Sequence, residues 1–115
     1  MPLTPETSGL FRADTIGWLK KEVIIINLAR GQAIVTEDLL AAVRAGRIAG
    51  AGLDVTDPEP LPADHPLRSI PRVLITPHNG SRTAETTAKA MGRAADNIRK
   101  ALAGERPINL VNPEV

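Results

Sequence analysis

Residues 23–30 read VIIINLAR, and this stretch decides the fold class of the chain. The run from Val23 to Ile26 is continuous and β-branched, and it is too short for a buried helix. Strands that are apolar without alternation are typical of parallel sheets, in which helices cover both faces. The stretch therefore predicts a strand covered on both faces in a parallel α/β sheet.

The flanking segments fit the same class. Residues 13–20 are predicted to form a short helix, and a second helix is predicted over 37–45, with Thr36 as its cap and Gly46 at its end. Residues 48–55 then read as a strand. Strand, helix and strand in this order form a βαβ unit, which is almost always a right-handed crossover in one parallel sheet.

The second half of the chain adds one strand and one long helix. Five prolines between Pro58 and Pro71 predict an irregular loop, which leads to a strand over 73–76. Apolar residues then recur at steps of three and four and predict a long helix that Gly104 ends. The tail after this helix is predicted to be extended. The apolar stripe consists of Ala88, Met91, Ala95, Ile98 and Leu102.

Composition limits the function. A chain of 115 residues supports one domain, and 43% hydrophobic with 23% charged residues is typical of a globular protein. The net charge of +1 argues against a nucleic-acid partner, and the apolar runs are too short to cross a membrane. With no cysteine there is neither a disulfide nor a thiolate nucleophile. A cytoplasmic location is expected, and no metal site is predicted.

Charged residues follow all three predicted strands. Arg30, Asp54 and His78 stand at the carboxyl ends, where ligands bind in open parallel sheets. Each also has a simpler interpretation: Arg30 as a surface residue on loop carbonyls, Asp54 as a turn residue, and His78 as a structural hydrogen-bonding group. Glu59 lies between two prolines that stiffen its loop, whereas His65 is assigned to the solvated part of that loop. The convergence on one edge favours a functional site.

Five strings then carry a family resemblance. PLTPET at 2–7, INLARG at 26–31, AGAGLDVTDPEPLP at 49–62, LITPHNGS at 74–81 and NLVNP at 109–113 occur in this order. Together they resemble the C-terminal half of the D-isomer-specific 2-hydroxyacid dehydrogenases, with glyoxylate and hydroxypyruvate reductases as the most similar branch. The resemblance implies hydride transfer between NAD or NADP and a small 2-oxo or 2-hydroxy acid.

The resemblance also implies roles for single residues. Arg30 would bind the substrate carboxylate, His78 would exchange a proton with the substrate oxygen, and Glu59 would pair with His78. Asp54 would bind the nicotinamide carboxamide. Asn79 stands where the family usually has an aliphatic residue. The implied cofactor-binding residues are Leu28, Ala29, Arg30, Asp54, His78, Asn79, Gly80 and Ser81.

The phosphate-binding part of such a protein is not in this sequence. No three glycines have the G-x-G-x-x-G spacing, so we expect a partial Rossmann-like sheet flanked by helices that lacks its first βαβ half. Residues 1–103 are predicted to belong to the dinucleotide-binding domain and residues 104–115 to return to the substrate domain. The expectation is therefore a fragment of an oxidoreductase.

Three alternatives stay open at this stage. The first is a truncated oxidoreductase that carries the catalytic residues but not the full cofactor site. The second is a non-catalytic remnant or an interaction module that completes a partner chain. The partner protein would be a second copy in a homodimer or a complementing chain. A generic nucleotide-binding fold of other chemistry is the third alternative. It would place the charged groups of Arg30, Glu59 and His78 more than about 10 Å apart.

Overall fold

The computed structural model of the protein describes residues 1–112 and 114. Two compact units are present, Met1–Gly80 and Ser81–Val115. The first unit contains a three-stranded sheet of β1 (Ile24–Asn27), β2 (Gly50–Leu53) and β3 (Val73–Ile75). Both pairings are parallel and the strand order is β1-β2-β3. The predicted parallel α/β class is confirmed.

Two helices accompany this sheet, α1 (Ala13–Gly17) and α2 (Thr36–Arg44). Helix α1 is three residues shorter than predicted. The capping prediction for α2 is wrong, because Val35 is the cap residue and the Thr36 hydroxyl donates instead to the Asp57 carbonyl at 2.6 Å. Gly46 follows the helix with φ +66°, the left-handed conformation in which glycine commonly ends a helix.

Short 3-10 helices complete the first unit at Gly31–Ala33 and Pro66–Ser69. The hydrophobic core joins α1, α2, the three strands and these turns. It lies on one face of the sheet, where Ile25 and Leu53 point. Its buried members are Ile16, Ile25, Ile34, Leu39, Leu40, Ala42, Val43, Ile48, Ala51, Leu53, Leu61 and Leu67.

Within the first unit, no element packs on the other face of the sheet. Ile24 is 60% exposed, Ile26 68% and Leu74 67%. Within the first unit, the prediction that β1 is covered on both faces is therefore wrong. The sequence showed no alternation because Val23 to Ile26 are all apolar, and only the fold distinguishes the two faces.

The second unit consists mainly of α3 (Ala84–Leu102). The Thr83 hydroxyl caps it by accepting from the Thr86 amide, and Gly104 follows it with φ +72°. In the tail, the Ile108 amide donates to the Asn97 side chain at 3.0 Å. The division between residues 103 and 104 stays a prediction. No helix among the described residues is long and apolar enough to span a bilayer.

Candidate active site

A buried carboxylate holds the turn that follows β3. Asp54 comes directly after β2 and is 7% exposed. Its Oδ1 accepts from the Thr76 hydroxyl at 2.5 Å and from the Asn79 amide at 2.9 Å, and its Oδ2 accepts from the Gly80 amide at 2.7 Å. The Thr76 hydroxyl first, and then the two amides, hold the pKa of Asp54 below its usual range. The ionised carboxylate thus ties the ends of two neighbouring strands.

His78 sits within this turn in a strained backbone conformation. Its φ is +52°, and among the described residues it is the sole non-glycine residue with positive φ. Such a left-handed conformation costs roughly 1–2 kcal/mol for a residue with a Cβ atom. The bonds from Asp54 to the next two amides fix the chain on its C-terminal side. Strain of this kind persists where the surroundings determine the conformation, as they do at many active sites.

The imidazole of His78 is paired with Glu59. Nδ1 lies 2.6 Å from Oε1 of Glu59, and the two side chains are 53% and 41% exposed. The hydrogen bond from His78, with a smaller contribution from the Thr56 amide, holds the pKa of Glu59 below its usual range. Because the carboxylate accepts at Nδ1, Nε2 is left without a hydrogen-bond partner among the described residues. This nitrogen is the one that can exchange a proton with a ligand.

The loop that carries Glu59 is anchored close to this residue. The Thr56 amide donates to Oε2 of Glu59 at 3.3 Å, and the Thr56 hydroxyl donates to the Pro58 carbonyl at 2.8 Å. Asp57 is joined to α2 through Thr36. Glu59 itself lies between two cis prolyl bonds, Asp57–Pro58 and Glu59–Pro60. The carboxylate is therefore presented by a segment with several fixed points.

A cavity of about 420 Å³ opens at the His78–Glu59 pair. This volume falls within the range of small-molecule sites. Its wall combines charged groups and two threonine hydroxyls with apolar side chains. The lining residues are Asp54, Thr56, Glu59, Pro60, Leu61, Arg68, Ile75, Thr76, Pro77 and His78.

Arg30 lies outside that cavity wall. The buried Asn27 amide shapes the corner after β1, since its Nδ2 donates to the Arg30 carbonyl at 2.8 Å and its Oδ1 accepts from the Ala29 amide at 3.0 Å. The exposed guanidinium donates through Nη1 to the Ala29 carbonyl at 2.8 Å. The structure thus brings Asp54, Glu59 and His78 together. The Arg30 side chain instead donates to a loop carbonyl, as the simpler interpretation of Arg30 as a surface residue predicts.

Three of the predicted cofactor-binding residues adjoin one another. A Cβ atom built at Gly80 would lie 2.9 Å from Oδ2 of Asp54 and 3.1 Å from Cδ2 of Leu28, which is 65% exposed. Leu28 thus offers an apolar surface for a flat ring, and Asp54 offers an acceptor for an amide donor on that ring. Nicotinamide has both features. Asn79 is exposed, and Ser81 begins the second unit.

Sequence reasoning missed four residues of this region. Thr76 and Arg68 line the cavity, and Asn27 shapes the Arg30 corner. The assignment of His65 to a solvated loop is wrong, because its side chain is 12% exposed and caps the 3-10 helix Pro66–Ser69. A polar residue directly before a proline that opens a helix is a recognisable capping signal. Thr76 and Arg68 carry no comparable signal.

Metal ligation is not suggested by the part of the chain that the structure describes. No group of three or more histidine, aspartate or glutamate side chains in residues 1–112 and 114 is placed to hold an ion.

Comparison with known proteins establishes the family. The family described as "D-isomer specific 2-hydroxyacid dehydrogenase, NAD binding domain" matches residues 1–80. The chain belongs to this family, which confirms the resemblance seen in the sequence.

Individual relatives agree with this assignment. Glyoxylate/hydroxypyruvate reductase B of Citrobacter koseri is 45% identical over 115 residues, which cover 100% of this chain and 36% of the relative. The chain thus spans about a third of that relative's length. A D-isomer specific 2-hydroxyacid dehydrogenase from Xanthobacter autotrophicus Py2, solved with NADPH and MES, is 42% identical with a TM-score of 0.81, over 99% of this chain and 46% of that one.

A third similar protein is D-lactate dehydrogenase with NAD+ from Lactobacillus jensenii. It is 28% identical with a TM-score of 0.89, and the match covers 96% of this chain and 37% of that one. Both nicotinamide cofactors thus occur among the solved structures that this chain resembles.

Proposed function

We propose that this chain carries the proton-transfer residues and part of the nicotinamide site of an NAD(P)-dependent oxidoreductase acting on small 2-oxo or 2-hydroxy acids. The observation that carries the proposal is the 2.6 Å contact between His78 and Glu59 at the carboxyl end of a parallel sheet, beside the turn held by Asp54. A paired imidazole with one free nitrogen suits the reversible protonation of a carbonyl oxygen.

His78 would act through Nε2. In reduction it gives a proton to the carbonyl oxygen of the substrate, and in oxidation it takes the hydroxyl proton. Glu59 accepts from Nδ1 and so fixes the orientation of the ring through a charge-assisted hydrogen bond. A bound nicotinamide supplies the hydride. Asp54 contributes twice, because it holds the His78 turn and keeps the acceptor capacity of Oδ2 for a carboxamide.

Arg30 would bind the substrate carboxylate through its planar guanidinium. Its present contact is a single bond to a carbonyl on an exposed surface, which an incoming anion can replace. Both NAD and NADP are proposed as cofactors, since the solved relatives include one with each. The proposed cofactor-binding residues remain Leu28, Ala29, Arg30, Asp54, His78, Asn79, Gly80 and Ser81.

The test is to titrate the purified chain with NADH and NADPH, and then to follow cofactor oxidation with glyoxylate and hydroxypyruvate. His78→Gln and Glu59→Gln are compared with Asp14→Asn, which removes a carboxylate from the exposed first turn of α1. Any turnover that the chain shows, alone or with a complementing chain, should be lost in the two site variants and kept in the control. Turnover that survives His78→Gln contradicts the proposal.

A second candidate function is that of an interaction module that completes a partner chain without catalysis. The open sheet face favours it, because Ile24, Ile26 and Leu74 are each more than half exposed and parallel sheets are normally covered on both faces. A complementing chain or a second copy would then cover this face. Two results together would support this candidate over the first. The chain would bind neither NADH nor NADPH, and sedimentation would show association of the chain with itself or with a complementing chain that Ile26→Lys abolishes.

Domain limits and location complete the proposal. Residues 1–103 are assigned to the dinucleotide-binding domain and residues 104–115 to a return toward a substrate domain. A cytoplasmic location is proposed, and the absence of cysteine is compatible with a reducing compartment.

A further inference from the structure

The second histidine of the chain is fixed at the far end of the proline loop, defined as residues 57–66. The His65 side chain is 12% exposed, although its neighbours in the sequence are polar or proline. Nδ1 accepts from the Leu67 amide at 3.2 Å, and Nε2 lies 3.3 Å from Oε1 of Glu37. His65 therefore bridges the 3-10 helix Pro66–Ser69 and the first turn of α2.

These two contacts define one state of the ring. Nδ1 must offer a lone pair to the Leu67 amide, so the ring proton stands on Nε2, where it donates to Glu37. The opposite tautomer would set two N–H groups against each other at Leu67. The bridge therefore requires a neutral ring with its proton on Nε2.

The proline loop is tied to α2 at both ends. At its start the Thr36 hydroxyl bonds the Asp57 carbonyl, and at its end Glu37 contacts His65. Thr36 and Glu37 are adjacent, so both ends of the loop are held at one point of the fold. Glu59 lies between the two ties.

The contact between His65 and Leu67 is anchored in the hydrophobic core. Leu67, which donates to His65, is 0% exposed, and Leu61 in the middle of the loop is 3% exposed. The hydrogen bond to Glu37 contributes little by itself, because the Glu37 side chain is 75% exposed and water competes for its carboxylate. His65 therefore matters mainly because it fixes the position of the loop backbone between α2 and Leu67.

We propose that His65 is a positioning residue, whose bridge between Leu67 and Glu37 holds the proline loop so that Glu59 stays in contact with His78. The inference rests on the proposed role of Glu59 and His78 as the proton-transfer pair. The effect is transmitted along six residues of a loop whose two ends are fixed. His65 itself touches neither His78 nor Glu59 in the described contacts.

The experiment is a 13C NMR titration of the Glu59 carboxyl in the full chain without cofactor, with Glu59→Gln to assign the signal. Three variants separate the two bonds: His65→Ala removes both, His65→Asn keeps an acceptor for Leu67, and His65→Gln keeps a donor for Glu37. Asp14→Asn is the matched control. We expect the pKa of Glu59 to rise toward that of an ordinary glutamate, most in His65→Ala and less in the other two, with no change in the control.

A Glu59 titration that is unchanged in all three variants would overturn the proposal, even if thermal stability falls, because a purely structural cap predicts that result. If His65→Ala does not give the dispersed amide spectrum of a folded chain, the Asn and Gln variants decide in the same way. The measurement needs no turnover. Failure of the proposed oxidoreductase activity is thus separate from failure of this inference.

Discussion

The turn after β3 and the corner after β1 both stand at carboxyl ends of parallel strands, but their charged side chains are held differently. The His78 imidazole contacts Glu59 and rests on a backbone fixed by Asp54. The Arg30 guanidinium extends over an exposed surface and meets one carbonyl. At Arg30 the backbone is shaped by Asn27, whereas the side chain is left adjustable.

This difference has a chemical reason. A proton donor works only if its nitrogen is aimed at the reacting atom, so orientation is worth fixing before the ligand arrives. A guanidinium at the end of a flexible stem can close on a carboxylate after binding. The comparison therefore indicates that the proton-transfer part of the proposed site, His78 and Glu59, is already formed without a ligand. The anion-binding part, Arg30, reaches its final position only when the substrate binds.

The largest expected effect comes from removing the fixed half. If the proposed function holds, His78→Gln should lower kcat for NAD(P)H oxidation with glyoxylate by about 10²–10⁴-fold, the usual contribution of a positioned acid–base group. Steady-state kinetics check this. A kcat within twofold of the unchanged chain would remove His78 from the mechanism and with it the contrast between the two regions.

Substitution that disturbs the backbone of the Arg30 corner should reduce stability far more than substitution of the Arg30 side chain. A Cβ atom at Gly31 would lie 1.9 Å from the Thr56 carbonyl oxygen, so Gly31→Ala must separate this corner from the start of the proline loop. We expect a loss of about 3 kcal/mol in the free energy of unfolding, at the upper end for overpacking. Urea denaturation measures it.

Gly92→Ala is the matched control for Gly31→Ala. Apart from its chain neighbours and the adjacent backbone of its own helix, no atom lies within 4 Å of a Cβ built at Gly92 in the interior of α3. Alanine is the better helix former there by about 0.5–1 kcal/mol, so this variant should be stabilised or unchanged. Equal losses in the two variants would show that the close approach at Gly31 is unimportant.

Acid should loosen the His78 turn through Asp54. Its pKa is lower in the folded chain than the unfolded value of about 3.9, so its contribution to stability is present above that value and is lost as the pH falls through the folded pKa. Asp54→Asn should weaken the chain at pH 7 and flatten the fall in stability below pH 4. Urea denaturation at several pH values tests this, and an undiminished acid dependence in the variant would contradict it.

The smallest expected effect is the change in stability when the Arg30 side chain is replaced. Arg30→Gln should change the free energy of unfolding by less than about 0.5 kcal/mol, because the guanidinium is exposed and makes one replaceable contact. In an active assembly the same variant should raise KM for the 2-oxo acid. A stability loss comparable to that of Gly31→Ala would show that the Arg30 side chain is also fixed in advance.

Much of this arrangement could be predicted from residue types. The β-branched run at 23–26 and the Gly-Ala-Gly-Leu segment indicated parallel strands, and parallel strands alone suffice to gather Asp54 and His78 at one edge. The role of Thr36 could not be predicted, because its hydroxyl has equal reason to cap its own helix or to reach a distant carbonyl. The left-handed backbone of His78 has no signature in residue types, because it follows from the bonds that Asp54 makes to the next two amides.

The central claim is that Glu59 fixes His78 through Nδ1. Long-range 1H–15N NMR of the neutral His78 ring in the unchanged chain tests it most directly, and the ring signals that disappear in His78→Gln identify those of His78. We predict that the neutral ring carries its proton on Nδ1, facing Glu59, and that Glu59→Gln weakens this preference. A neutral ring with its proton on Nε2, as in an unstructured peptide, would contradict the account.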